Sequence, residues 1–174
     1  TFEFPSETRP LLVRFDEGNV LLKEITFPKE RDELLYQLRN DDVIGRMGAA
    51  ADLAGLKADT AVVDALAASA QSDRFWAVRR SAVEALAKTG DPRVPALLRK
   101  LSLDAHPSVR TASLVALGDL KDRSLVPYFK ERFEKDASDA VRAESLRAIG
   151  KTGDVTAVAF LESSAKLASY RNLI

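Results

Sequence analysis

Cysteine is absent from this chain of 174 residues, and histidine, methionine and tryptophan occur once each. Without thiols there is no cysteine nucleophile, no thiolate metal site and no disulfide, while the compartment stays open. The single imidazole, His106, supplies neither the two-histidine pair of a zinc protease nor most catalytic triads. It stands in DAHPS immediately before a helical segment and reads as a polar loop residue at a helix start. An excess of either charge is lacking too, since Lys plus Arg and Asp plus Glu both number 26 and are interleaved along every segment. That is a solvated surface, not a nucleic-acid footprint. Phosphate loops are missing: no strand precedes Gly90, Gly118, Gly150 or Gly153 and no Gly-Lys-Ser/Thr follows, so these glycines read as helix terminators. No apolar run approaches the roughly 18 residues of a spanning helix, and the expectation is a soluble chain with no membrane partner.

What the sequence has instead is a repeat. Four segments open on an arginine with similar lettering, RMGAAADL from Arg46, RRSAVEAL from Arg79, RTASLVAL from Arg110 and RAESLRAI from Arg142, at spacings of 33, 31 and 32 residues. Such a period marks a tandem array of two-helix units. Three residues after each arginine comes a small residue (Ala49, Ala82, Ser113, Ser145), four after it Ala50, Val83, Leu114 or Leu146, and seven after it Leu53, Leu86, Leu117 or Ile149. Those offsets place the side chains on one helix face. Six residues before the arginine stands Asp73, Asp104 or Asp136, with Asn40 at that place in the first unit, and twelve after it stands Asp91, Asp122 or Asp154. A guanidinium removed from water needs a fixed carboxylate, so the recurring phase predicts a structural ladder of these arginines and aspartates between neighbouring loops.

The repeat does not reach the beginning of the chain. LLVRF (Leu11 to Phe15) and VLLKEITF (Val20 to Phe27) are rich in β-formers with DEGN between them as a turn, which predicts two strands in a β segment over residues 1–28. An isolated hairpin is marginal in water, so the segment reads as the remnant of a preceding β-sandwich domain, or alternatively as a small cap on the helical stack. From Pro28 the pattern is helical in nine segments: 29–40, 42–55, 59–72, 74–90, 91–104, 106–120, 123–136, 138–153 and 154–168. Pro92 and Pro107 fall in a first turn, whereas Pro95 and Pro127 sit deeper and are expected to bend their helices. A helix pair with one apolar stripe buries it only against the next pair. The expected fold is therefore all-α, a HEAT-type α-α superhelix over residues 29–174 preceded by a short β segment.

Few residues suggest chemistry. Trp76, in RFWAVRR, either anchors a partner, imitates the stacking residue of HEAT-like DNA glycosylases, or covers the seam between repeats, which its place before the core position Val78 favours. Phe129, Phe133 and Phe160 have core spacing. Arg80, Glu84, Glu144, Arg147 and Lys151 lie on the polar side of the second helices and are candidate contacts of a concave face.

The stretch PLLVRFDEGNVLLKEITFPKERDELLYQLRNDDVIGRMGAAADL, Pro10 to Leu53, resembles the passage in bacterial aminopeptidase N-like zinc metallopeptidases, the gluzincin type, where a β-sandwich domain ends and the C-terminal helical domain begins. DRFWAVRRSAVEAL, Asp73 to Leu86, is similar to a helix of that domain, and the likeness runs through the chain in register without one diagnostic residue. The family's chemistry uses HEXXH with a downstream Glu for zinc, a Gly-x-Met-Glu-Asn segment and an oxyanion-stabilising Tyr. None of these motifs is here, so no catalytic, cofactor-binding or metal residue carries over. The resemblance implies a non-catalytic C-terminal domain, with zinc held by the parent enzyme, that packs on the catalytic and β-sandwich domains and shapes substrate access. The other reading is a free-standing HEAT scaffold that binds a protein or peptide; an enzyme on damaged DNA is disfavoured because phosphate binding requires basic excess. Thr1 opens without a starting Met, and Ile174 falls at the phase of Val78, Val109 and Val141, so the sequence reads as a piece that stops inside a fifth unit.

Overall fold

A computed structural model describes residues 6–16, 20, 27–56 and 59–167. Among them are α1 (Arg31–Asn40), α2 (Val43–Leu53), α3 (Thr60–Ser72), α4 (Trp76–Thr89), α5 (Val94–Leu101), α6 (Pro107–Asp119), α7 (Val126–Lys135), α8 (Asp139–Thr152) and α9 (Val158–Ser164). Short 3-10 turns, Arg123–Leu125 and Val155–Ala157, lead into α7 and α9. Each helix falls within one of the nine segments that the 3.6-residue period picks out.

Local chemistry explains the boundaries. Asp42 caps α2 through the N–H of Gly45, and Asp59 caps α3 through the N–H groups of Ala61 and Val62. α4 and α8 end in the same four letters, Lys-Thr-Gly-Asp at 88–91 and 151–154. In both, the threonine hydroxyl donates to the carbonyl three residues back, of Leu86 or Ile149, and accepts the aspartate N–H. The intervening Gly90 and Gly153 take φ of 74° and 65°, the left-handed region where a Cβ is costly.

Several expectations need correction. No strand occurs among the described residues, and Leu11 to Phe15 form none: the Val13 N–H donates to the Glu33 carboxylate instead of to a neighbouring strand. Most of the second expected strand lies outside the described residues. Pro95 and Pro127 are each the second residue of their helices, where no intrahelical N–H bond is lost, so neither has cause to bend its helix. Gly118 and Gly150 do not terminate helices but lie inside α6 and α8.

α1 packs on α2, α3 on α4, α5 on α6 and α7 on α8, and the short links between these partners make each pair antiparallel. The second helices also pack in succession, α2 on α4, α4 on α6 and α6 on α8, while the first helices touch only lightly. A layer whose members approach more closely lies on the inside of the curve, which puts α2, α4, α6 and α8 there. Small residues permit the approach: a Cβ added at Gly118 would stand 3.0 Å from the Ala148 Cβ of α8. Ala49, Ala82, Ser113 and Ser145 are buried in this layer, and the two serines satisfy their hydroxyls on the carbonyls four residues back, Val109 and Val141. Val78, Val109 and Val141, Leu53, Leu86, Leu117 and Ile149 are buried as well, so the core is one continuous seam along the array. Phe129 of α7 joins it, and the buried Phe133 lies edge-on to the half-buried Phe160.

Candidate functional site

The arginines that open the second helices reach across to the next unit. Arg46 Nε and Nη2 donate to the two carboxylate oxygens of Asp73 at 2.8 and 3.2 Å. Arg79 makes the same bidentate contact with Asp104, and Arg110 with Asp136, all at 2.8 Å. The third nitrogen of each guanidinium, Nη1, donates back to a carbonyl of its own unit, at Asp41, Asp73 and Asp104. Each aspartate also accepts the N–H two residues on, of Phe75, His106 or Ser138, and so shapes the turn into the second helix. The six side chains are only 5–15% exposed, and planar forks of this kind fix distance and register together. Burial pushes the Asp104 and Asp136 carboxyls up, but the Arg79 and Arg110 guanidinia and the backbone N–H donors outweigh it and hold both below the usual carboxylate range.

The remaining expected rungs go elsewhere. Arg142 turns inward on its own unit, donating to the Phe133 carbonyl at 3.1 Å and to Asp139 at 3.0 Å, with its guanidinium over the Phe133 ring. Asp91, Asp122 and Asp154 are not rungs; they accept the N–H groups of Arg93, Ser124 and Thr156 at the starts of the next units' first helices. Their regular spacing reflects capping, an alternative signal already present in the sequence. Asn40 does not hold the first unit's place, because its amide donates to the Tyr36 carbonyl. That place belongs to Asp41, whose carbonyl takes the Arg46 bond; the loop here is one residue shorter than in the other units, and counting by a constant six misses it.

The outward side of the second-helix layer is the candidate docking face. Arg80 and Glu84, both half-exposed on α4, pair at 2.7 Å one turn apart. Lys151 of α8 crosses to Asp119 of α6 at 2.9 Å. Glu144 is buried, with Arg147 at 3.2 Å and Lys151 at 4.0 Å, so it anchors those two cations and is not open to a partner. Five residues after the repeat arginines come Ala51, Glu84, Val115 and Arg147, all exposed, which form one row across α2, α4, α6 and α8. Val115 and Asp119 belong to the face and were not among the expected contacts; their shared phase with Glu84 and Lys151 was the available signal. At the loop edge Trp76 stacks on His106 of the following unit, ring centroids 4.2 Å apart and 6° from parallel, while His106 Nδ1 accepts the Ser108 N–H. This covers the seam between α4 and α6.

Among the described residues no group of three or more His, Asp or Glu side chains is placed to hold a metal ion, and no helix is long and apolar enough to cross a membrane. The family model for HEAT repeats matches residues 31–118 and 95–173. A comparison with curated proteins finds no match.

Proposed function

The chain belongs to the HEAT-repeat family, and on that premise we propose that it is a non-catalytic helical scaffold that holds a protein partner on the exposed face of α2, α4, α6 and α8. The observation that carries this reading is the row Ala51, Glu84, Val115 and Arg147, exposed on four successive helices whose spacing the Arg–Asp pairs hold rigid. A row with one member per repeat suits an extended partner segment that runs across the helices, with Arg80 and Arg147 for its carboxylates and Glu84 for its cations. A photo-crosslinking side chain at Val115 tests it against one at Ala96 on the first-helix layer. Cross-links to one defined protein from position 115 and none from 96 are expected; cross-links from 96 alone would sink the proposal.

The finer reading is that this scaffold is the C-terminal domain of an aminopeptidase N-like zinc enzyme, packing on its catalytic and β-sandwich domains with residues 1–28 as the end of the sandwich. It rests on the resemblance of Pro10 to Leu53 and of Asp73 to Leu86 alone, with no support from the comparisons. The coding sequence upstream of Thr1 decides it: an encoded HEXXH supports the peptidase, and an adjacent start codon removes it.

A further inference from the structure

The ladder has a first rung that no repeat supplies. Asp41 occupies the same place in its unit as Asp73 and Asp104, since its carbonyl takes the guanidinium Nη1 of its own unit's arginine as theirs do. Its carboxylate is buried, with a side chain 2% exposed, and each of the ladder aspartates further along, Asp73, Asp104 and Asp136, receives an arginine from the unit before. Here there is no earlier helix pair among the described residues, and Arg14 takes that role, its Nη1 standing 2.8 Å from Asp41 Oδ1. The rest of the carboxylate is cradled by its own loop and helix: Oδ1 accepts the N–H of the next residue, Asp42, at 2.8 Å, where the later aspartates accept the N–H two residues on, and Oδ2 accepts the Gln37 amide at 2.9 Å. Gly45 completes the cradle, because a Cβ there would fall 1.8 Å from Asp41 Oδ2. Arg14 also reaches Asp42 at 2.6 Å, the residue that caps α2, and the adjacent Val13 N–H donates to Glu33 on α1. The Gly45 N–H and the Arg14 guanidinium together hold the Asp42 carboxyl below the usual range.

We propose that Arg14 is a surrogate ladder arginine and that residues 13–14 form a strap closing the first end of the helical array with the bond the array uses internally. Among the described residues the strap bonds to Glu33 of α1 and to Asp41 and Asp42, which link α1 to α2, so its release is expected to open that end while the later units keep their own rungs. A buried carboxylate stripped of its guanidinium must gain water or a proton, so the loop between α1 and α2 loosens when Arg14 goes.

Amide hydrogen exchange on the whole chain tests this with Arg14→Ala, Asp41→Asn and, as a control, Arg9→Ala, whose pair with Glu30 is about three-quarters exposed on both sides. Arg14→Ala and Asp41→Asn are each expected to speed exchange at Val13, Asp42 and Gly45 by on the order of tenfold, the scale of one lost charged hydrogen bond. Amides of α5 to α8 keep wild-type protection, and Arg9→Ala changes nothing. Unchanged exchange at Asp42 and Gly45 in Arg14→Ala, or equal acceleration by Arg9→Ala, would overturn the proposal.

Discussion

Replacing Arg110 with alanine removes both bonds to Asp136 and the return bond to the Asp104 carbonyl. What remains is a carboxylate whose side chain is 5% exposed, supported by the Ser138 N–H alone among its former partners. Breaking a fully buried pair costs about 3–5 kcal/mol, chiefly through the stranded charge. The Arg110 side chain keeps 15% of its surface in water, which points to the lower end, about 3 kcal/mol. With a urea slope of about 2 kcal/mol/M the midpoint falls by about 1.5 M. Unfolding is to be followed both by circular dichroism and by Trp76 fluorescence, because a repeat array can lose cooperativity and separate the two curves. Asp136→Ala added to Arg110→Ala is expected to recover part of the loss, since it removes the stranded charge. Arg80→Ala, whose pair with Glu84 is about half exposed on both sides, should cost under about 1 kcal/mol. An unchanged midpoint in Arg110→Ala would show that the ladder contributes nothing to the stability of the array.

Three further outcomes follow from the same geometry. Asp104 and Asp136 have folded pKa values below their unfolded ones, so their stabilisation is present above about pH 4 and is lost as pH falls through the depressed folded values; the wild-type urea midpoint should drop in acid, and the Arg110→Ala penalty should shrink there. Gly118→Ala brings a methyl to 3.0 Å from the Ala148 Cβ and 3.1 Å from its Cα and is expected to destabilise by about 1–2 kcal/mol despite its better helix propensity, with Ala148→Gly relieving only part because the backbone contact stays; a rise in Tm for Gly118→Ala alone would contradict the close approach of α6 and α8. His106→Ala uncovers the sole tryptophan, so its emission should shift to the red, whereas an unchanged spectrum would mean that the stack with Trp76 is not maintained in solution.

Periodicity alone carried most of the fold. Offsets of three, four and seven from Arg46, Arg79, Arg110 and Arg142 identify the buried face of each second helix, because a helix returns to the same side every 3.6 residues whatever it packs on. The same count located Asp73, Asp104 and Asp136, which lie within reach of arginines 25–27 residues earlier only when successive units stack. Where the chain's local chemistry has two outlets, spacing does not choose between them. Asp91, Asp122 and Asp154 recur as regularly as the ladder acids, yet each accepts an N–H at the start of its own unit's first helix, Asp91 taking the Arg93 guanidinium as well, and so serves within its unit. Asp41 was hidden by a loop one residue short, and Arg14 by a β-like stretch that bonds to Glu33 of α1 and to Asp41 and Asp42 in the link before α2. The availability of Arg80, Arg147 and Glu84 to a partner, and the withdrawal of Glu144 from one, depend on which helices adjoin. Sequence period fixes a side chain's direction around its own helix, but only the stacked neighbours decide whether that direction leads to solvent or to another charge.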